Sequence, residues 1–232
     1  MSIKKHIPNA LTCCNLISGC IATGAAFEGD FEVAMLFIIV GAGFDFFDGF
    51  VARLLKVSSP IGKELDSLAD DITFGFAPAT IVFALLMSQG LPEYVPFLAF
   101  LIAAFSALRL AKFNLDERQA MGFIGLPTPA NALFWGSLAI TLQSFSNEWM
   151  WIPLVAGIFV SSFLLVCELP MFALKFHDYS WKNNKLRYFF IAASLLTLIG
   201  FYVLGLGTLG FAAVIVLYVI LSVVANWQSS CK

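Results

Sequence analysis

Eight runs of about twenty mostly apolar residues follow one another along this chain, near positions 9–27, 32–52, 68–88, 94–113, 129–146, 151–173, 188–205 and 207–227. A run of that length spans the ~30 Å hydrocarbon core of a bilayer as an α-helix, and in lipid every backbone N–H and C=O has to be paired within the segment. The chain is therefore predicted to be all-α: a polytopic transmembrane helix bundle forming a single domain over residues 1–232. Its composition, 60% hydrophobic and 12% charged, lies outside the range of soluble domains. No nucleic-acid partner is expected.

The placement of charge orients the runs. With the N-terminus on the cytoplasmic side, Lys4, Lys5, Arg53, Lys56, Lys63, Arg109, Lys112, Arg118, Lys175, Lys182, Lys185, Arg187 and Lys232 fall at or near that side, which accounts for all 13 basic residues. The opposite loops hold only Glu28, Asp30, Glu32, Glu93 and Glu148. Lys and Arg concentrate in cytoplasmic loops, so both termini are expected there, in a protein of the cell membrane. The run from Ile7 is broken by Pro8, Asn9 and Asn15 and reads as a lead into the first span rather than a cleaved signal. Cys13, Cys14, Cys20, Cys167 and Cys231 lack the spacing of a zinc site and are expected to be small buried hydrophobes. His177 to Arg187 is the one substantial polar loop.

Against this apolar background four carboxylates need a cause. Asp45, Asp48, Asp66 and Asp70 fall in the second and third helical segments, and an Asp at a helix centre opposes insertion by about 2.5–3.5 kcal/mol unless it meets a partner or water. Spacing i, i+3 puts Asp45 and Asp48 on one helix face, and spacing i, i+4 does the same for Asp66 and Asp70 on the next. Brought opposite one another, the two faces form a ring of oxygens whose repulsion a hard divalent cation, Mg²⁺ or Mn²⁺, relieves. Gly49, Ala52 and Gly62 leave backbone bare beside these acids, which suits either a bulky ligand or close helix packing. Arg53 is suited to clamp a polyphosphate held by cations, or to anchor a helix end at the membrane surface.

These eight residues, Asp45-x₂-Asp48-Gly49-x₂-Ala52-Arg53-x₈-Gly62-x₃-Asp66-x₃-Asp70, match without gap or substitution the signature of the CDP-alcohol phosphotransferases, and the chain resembles that family. Four further stretches resemble its integral-membrane phosphatidylserine synthase subfamily: Ile7 to Thr12, Ser67 to Asp70 followed by Phe74 to Ala79, Ser106 to Asn114 and Gly125 to Ala130. The resemblance runs over about residues 7–135; the helices of 136–232 are read as packing, dimerisation or lipid contact.

The resemblance implies a reaction in which the phosphatidyl group of CDP-diacylglycerol passes to the hydroxyl of L-serine and CMP leaves. It implies that Asp45, Asp48 and Asp66 hold a pair of divalent ions, Mg²⁺ or Mn²⁺, and that Asp70 deprotonates the attacking hydroxyl while also touching a metal. Gly49, Ala52, Arg53 and Gly62 would then receive CDP-diacylglycerol. Arg109, Lys112 and Asn114 are candidates for the serine carboxylate or a phosphate, with snorkelling to the membrane surface as the competing reading; Thr128 and Asn131 are weaker ones. A homodimer among membrane lipids is expected. Two alternatives remain at this point: the same chemistry with a glycerol 3-phosphate or inositol-type acceptor or an ether-lipid donor, and a cation transporter built on the Asp ring.

Overall fold

The computed structural model describes residues 6–116, 123–144, 149–172 and 180–230, the side chains of 182–183 and 228–230 excepted. Lys4, Lys5, Arg118, Glu148, Lys175, His177, Cys231 and Lys232 lie outside the described residues. Each of the eight apolar runs carries a helix among the described residues. In chain order they form α1 (His6–Phe27), α2 (Phe31–Leu55), α3 (Pro60–Asp70) continuing through a π-helical turn (Asp71–Phe76) into α4 (Ala77–Met87), and α5 (Leu101–Leu115) entered through a 3₁₀ turn (Pro96–Phe100). The second half holds α6 (Thr128–Leu142), α7 (Trp151–Val166), α8 (Trp181–Val203) and α9 (Leu209–Ser230). The protein is a polytopic membrane helix bundle.

Among the described residues six helical segments, His6–Phe27, Phe31–Leu55, Pro60–Met87, Pro96–Leu115, Asn184–Val203 and Leu209–Trp227, are long and apolar enough to cross a bilayer. The 15-residue α6 and 16-residue α7 are shorter than the runs at 129–146 and 151–173 promised. At 1.5 Å per residue they reach about 22–24 Å, less than the ~30 Å of a full span. For α7 the cause is local: Cys167 turns extended (φ −65°, ψ 151°) and the chain passes into β2 (Pro170–Met171), which pairs antiparallel with β1 (Phe123–Ile124). Gly125 (φ +75°) makes the turn after β1 because a Cβ there would lie 2.6 Å from the Leu165 carbonyl oxygen. The end of the expected polar loop is helical too, since α8 begins at Trp181, with a kink at Asn184 (φ −121°).

The core gathers apolar side chains of α1, α2, the π turn, α4, α6 and α7, among them Ala22, Ile38, Phe74, Ile81, Leu85, Trp135 and Ile158. Buried Trp135 keeps its indole N–H satisfied by donating to Ser161 Oγ (3.1 Å). Of the cysteines, Cys13 and Cys20 are exposed on α1 rather than buried, and Cys14 and Cys167 are half-buried. In a membrane the outer face of a helix meets lipid, so an apolar thiol gains as much there as in the core.

Three of the described basic residues, Lys63, Arg109 and Lys112, converge on one end of the bundle. Lys63 at the start of α3 donates to the carbonyl of Asn114 at the end of α5 (2.9 Å), Lys112 reaches the carbonyl of Val166 at the end of α7 (3.4 Å), and Arg109 reaches Thr128 at the start of α6 (3.4 Å). The opposite end is tied by Gln143, whose amide donates to the carbonyl of Gly29 in the α1–α2 loop (2.9 Å).

Candidate active site

The turn between α2 and α3 builds the frame. Lys56 takes a left-handed conformation (φ 51°, ψ 44°), and its N–H meets the carbonyls of Ala52 and Arg53, closing α2. Ser59 caps α3, its Oγ accepting from the Gly62 N–H (3.1 Å), with Pro60 in the first turn. Both helices rest on α1, and the space left between them holds the acids.

Ligand oxygens of Asp45, Asp48 and Asp66 lie within 4.8 Å of one another. The two acidic helix faces read from residue spacing thus do meet. Asp70, one turn beyond Asp66, is not in that triad: its Oδ1 accepts from Asn15 Nδ2 (3.0 Å). Asp48 Oδ2 accepts from Thr12 Oγ1 (2.6 Å). Thr12 and Asn15 are buried and stand at i, i+3 on the α1 face that carries α3. Sequence reasoning passed over both as ligand-orienting residues; the signal was there in two polar side chains at helical spacing inside an apolar run.

The junction beneath the acids is set by small residues. Thr73 of the π turn sits between α1 and α2, where a Cβ at Gly19 would lie 2.8 Å from Thr73 Cα and one at Gly41 would lie 2.6 Å from Thr73 Cγ2. Its hydroxyl donates to the carbonyl of Asn15 (3.0 Å). The π turn starts immediately after Asp70, and such turns re-aim the side chains around them. Three backbones are thereby locked one turn below Asp45 and Asp70.

A cavity of about 240 Å³ opens beside the triad, lined by Asp48, Asp66, Gly49, Ala52, Gly62 and Lys63 together with Asn9 and Thr12 of α1. Gly49 and Gly62 differ in role. A Cβ at Gly49 would meet nothing within 4 Å, so packing does not explain the glycine, whereas one at Gly62 would meet Asn9 Oδ1 and Ser59 Oγ at 3.0 Å. Arg53 is exposed on the last turn of α2 and is not among the residues lining this cavity.

The second group of candidates divides. Arg109 and Lys112 line a separate cavity of about 380 Å³ with Leu165, Val166 and Cys167. Arg109 is buried, its guanidinium lies 5.4 Å from the Phe113 ring centroid, and its Nε has no hydrogen-bond partner among the described residues. Asn114 instead ties α5 to α3, donating to Ser67 Oγ (2.7 Å). Thr128 accepts from Arg109, while Asn131 faces an apolar cavity elsewhere. Two further buried atoms lack partners near α5: Asp71 Oδ1 and Ser106 Oγ, which flank the face of Gly75.

The donor set fits a divalent cation. Three carboxylates are hard oxygen ligands, and Asp66 Oδ1 is buried without a hydrogen-bond partner among the described residues. An uncompensated carboxylate oxygen at this depth is costly, and a bound cation removes the cost.

Known proteins are similar to this chain over most of its length. The family model described as CDP-alcohol phosphatidyltransferase matches residues 5–171. A Bacillus subtilis protein named CDP-diacylglycerol–serine O-phosphatidyltransferase is 34% identical over 177 residues, which cover 75% of this chain and 93% of that protein. A Helicobacter pylori protein of the same name is 27% identical over 195 residues, 83% of this chain and 80% of its own. One from Mycobacterium leprae is 34% identical over 177 residues, but the match spans only 57% of that longer protein.

Proposed function

The chain belongs to the CDP-alcohol phosphatidyltransferase family, and on that premise we propose that it transfers the phosphatidyl group of CDP-diacylglycerol to the hydroxyl of L-serine. The products are phosphatidylserine and CMP. The observation that carries the reading is the acidic triad of Asp45, Asp48 and Asp66, of which Asp48 and Asp66 line a cavity whose wall at Gly49 is bare backbone. The names of the relatives support serine as the acceptor.

Each residue then has a task. Asp45, Asp48 and Asp66 would hold two divalent ions, Mg²⁺ or Mn²⁺. When bound, these supply positive charge to the phosphate oxygens and to the departing CMP. Gly49 and Ala52 let the CDP head approach the backbone, Gly62 holds α3 close to α1 at the cavity rim, and Arg53 meets the head from outside. Asn15 fixes one oxygen of Asp70 and leaves the other to take the proton from the serine hydroxyl. The hydroxyl oxygen forms the new bond to the phosphatidyl phosphorus as the bond from that phosphorus to the CMP oxygen breaks. Arg109 receives the serine carboxylate through its unpartnered Nε edge, and Asp71 Oδ1 offers an acceptor for the ammonium.

The reaction belongs at a membrane surface, because the acyl tails of the donor stay in the leaflet while CMP and serine are soluble. Convergence of Lys63, Arg109 and Lys112 on the end of the bundle that carries the acids supports a cytoplasm-facing site with both termini on that side, in the cell membrane. A homodimer is part of this reading. The test is an acceptor panel: purified protein with CDP-diacylglycerol and Mg²⁺ or Mn²⁺, scored for CMP and lipid product. CMP release that depends on serine is expected; release driven by glycerol 3-phosphate or inositol instead overturns the acceptor.

A further inference from the structure

A cavity of about 230 Å³ lies between α7 and α9, both of which pack on α6. It shares no lining residue with the acidic cavity, which is walled by α1, α2 and α3. Its walls are Leu126, Phe134, Val160, Leu164 and apolar residues of α9, interrupted by only two polar side chains. One of these, Ser161, is already engaged: its hydroxyl accepts from Trp135 Nε1 and donates to the carbonyl of Ile158 (3.2 Å).

The other is Asn131. It is wholly buried, and neither its Nδ2 nor its Oδ1 has a hydrogen-bond partner among the described residues. A primary amide offers two donors and two acceptor lone pairs, and an apolar pocket leaves all of them uncompensated. Nothing in the packing of α6 requires an amide at this point, so the side chain calls for a ligand that is itself mostly apolar but carries a polar group at one end.

Position in the bundle narrows the ligand. Asn131 is in the first turn of α6, at the same end as the Arg109–Thr128 contact. From there the cavity runs along α7 from Leu164 to Gly157, about two turns or ~10 Å toward the bilayer interior. Val160 of α7 and Val216 and Ile220 of α9 are exposed at its rim, and on α9, which is long and apolar enough to cross a bilayer, that exposure faces lipid. A polar group near the interface with an apolar chain hanging below it is the layout of a glycerolipid ester.

We propose that this cleft is a resident phospholipid site, distinct from the donor site: one acyl chain occupies the apolar cavity and its ester carbonyl accepts from Asn131 Nδ2. The occupant is a bulk membrane phospholipid, since the cleft opens to the bilayer on helices that do not wall the acidic cavity.

Reconstitution of the full chain into phosphatidylglycerol–phosphatidylcholine vesicles doped with a phosphatidylcholine bearing a diazirine in its acyl chain tests this. After photolysis, label is expected on Val160, Val216 and Ile220 above the level on Leu196 and Ile199, which are exposed on the membrane-spanning α8. Asn131→Ala and, independently, Val216→Phe at the rim should each lower that excess about five-fold or more, the scale of one lost hydrogen bond or a blocked mouth. Excess CDP-diacylglycerol should leave it unchanged. Label no higher than on α8, label indifferent to both variants, displacement by CDP-diacylglycerol, or cross-links to a second copy of the chain in its place would each overturn the proposal.

Discussion

Asn15 and Asp70, 55 residues apart in sequence, are joined by a 3.0 Å hydrogen bond from the amide of α1 to one carboxylate oxygen at the end of α3. A donor held in this way fixes the direction of the remaining carboxylate oxygen, and the Thr73 hydroxyl, bonded to the Asn15 carbonyl, holds the donor's own backbone in place. Asn15→Leu should lower kcat by roughly 10- to 100-fold through lost orientation. Mn²⁺ binding, followed by electron paramagnetic resonance, should be unchanged. An equal loss of Mn²⁺ binding would assign Asn15 to the metal shell instead.

Removing a charge from the triad is a different experiment. Asp45→Asn or Asp66→Asn should abolish metal-dependent CMP release, a loss of at least about 100-fold given the electrostatic role of the site. Asp70→Asn should lose turnover while still binding CDP-diacylglycerol, measured by equilibrium binding in detergent. Near-normal turnover in purified Asp45→Asn would remove the carboxylate from the ligand set.

The two kinds of glycine separate by assay. Gly49→Val adds a side chain to open cavity space, so the fold should survive and the KM for CDP-diacylglycerol should rise. Gly41→Val drives a branched side chain against Thr73 and should lower thermal stability by about 1–3 kcal/mol or more. Melting in detergent and donor titration read the two effects apart.

Arg109→Ala should raise the KM for serine selectively, by about 10-fold or more if it meets the serine carboxylate. Asp71→Asn should act in the same direction on serine. An equal effect of Arg109→Ala on the donor would make the guanidinium a phosphate ligand, with steady-state kinetics in both substrates deciding.

Asn114 serves as the control. It is bonded to Ser67 across α3 and α5, so Asn114→Ala should cost stability by about 1 kcal/mol and leave the KM for serine unchanged. A selective rise in that KM would restore it to the acceptor site.

Helix number and type, the acidic motif and its reaction class were legible in the sequence because each rests on local rules. A twenty-residue apolar run forms a helix wherever lipid denies the backbone water, and i, i+3 and i, i+4 spacings fix a face within one helix. The same rules could not assign Arg53, Arg109, Lys112 and Asn114, which are all polar residues at helix ends. Which cavity such a residue reaches depends on the neighbouring helix, and the structure sends Arg109 and Lys112 to one cavity, Asn114 to a helix tie and Arg53 to the surface.

Sequence alone therefore determined that the chain lives in a membrane and carries two acidic helix faces, since hydropathy and helical period are properties of a single segment. Tertiary structure decided how those faces are held: Gly19 and Gly41 admit Thr73 between α1 and α2, and that contact brings Thr12 to Asp48 and Asn15 to Asp70. It also decided that Asn131 lies in an apolar cleft rather than with the acids. Such pairings join residues tens of positions apart, and only the close approach of packed backbones can select them.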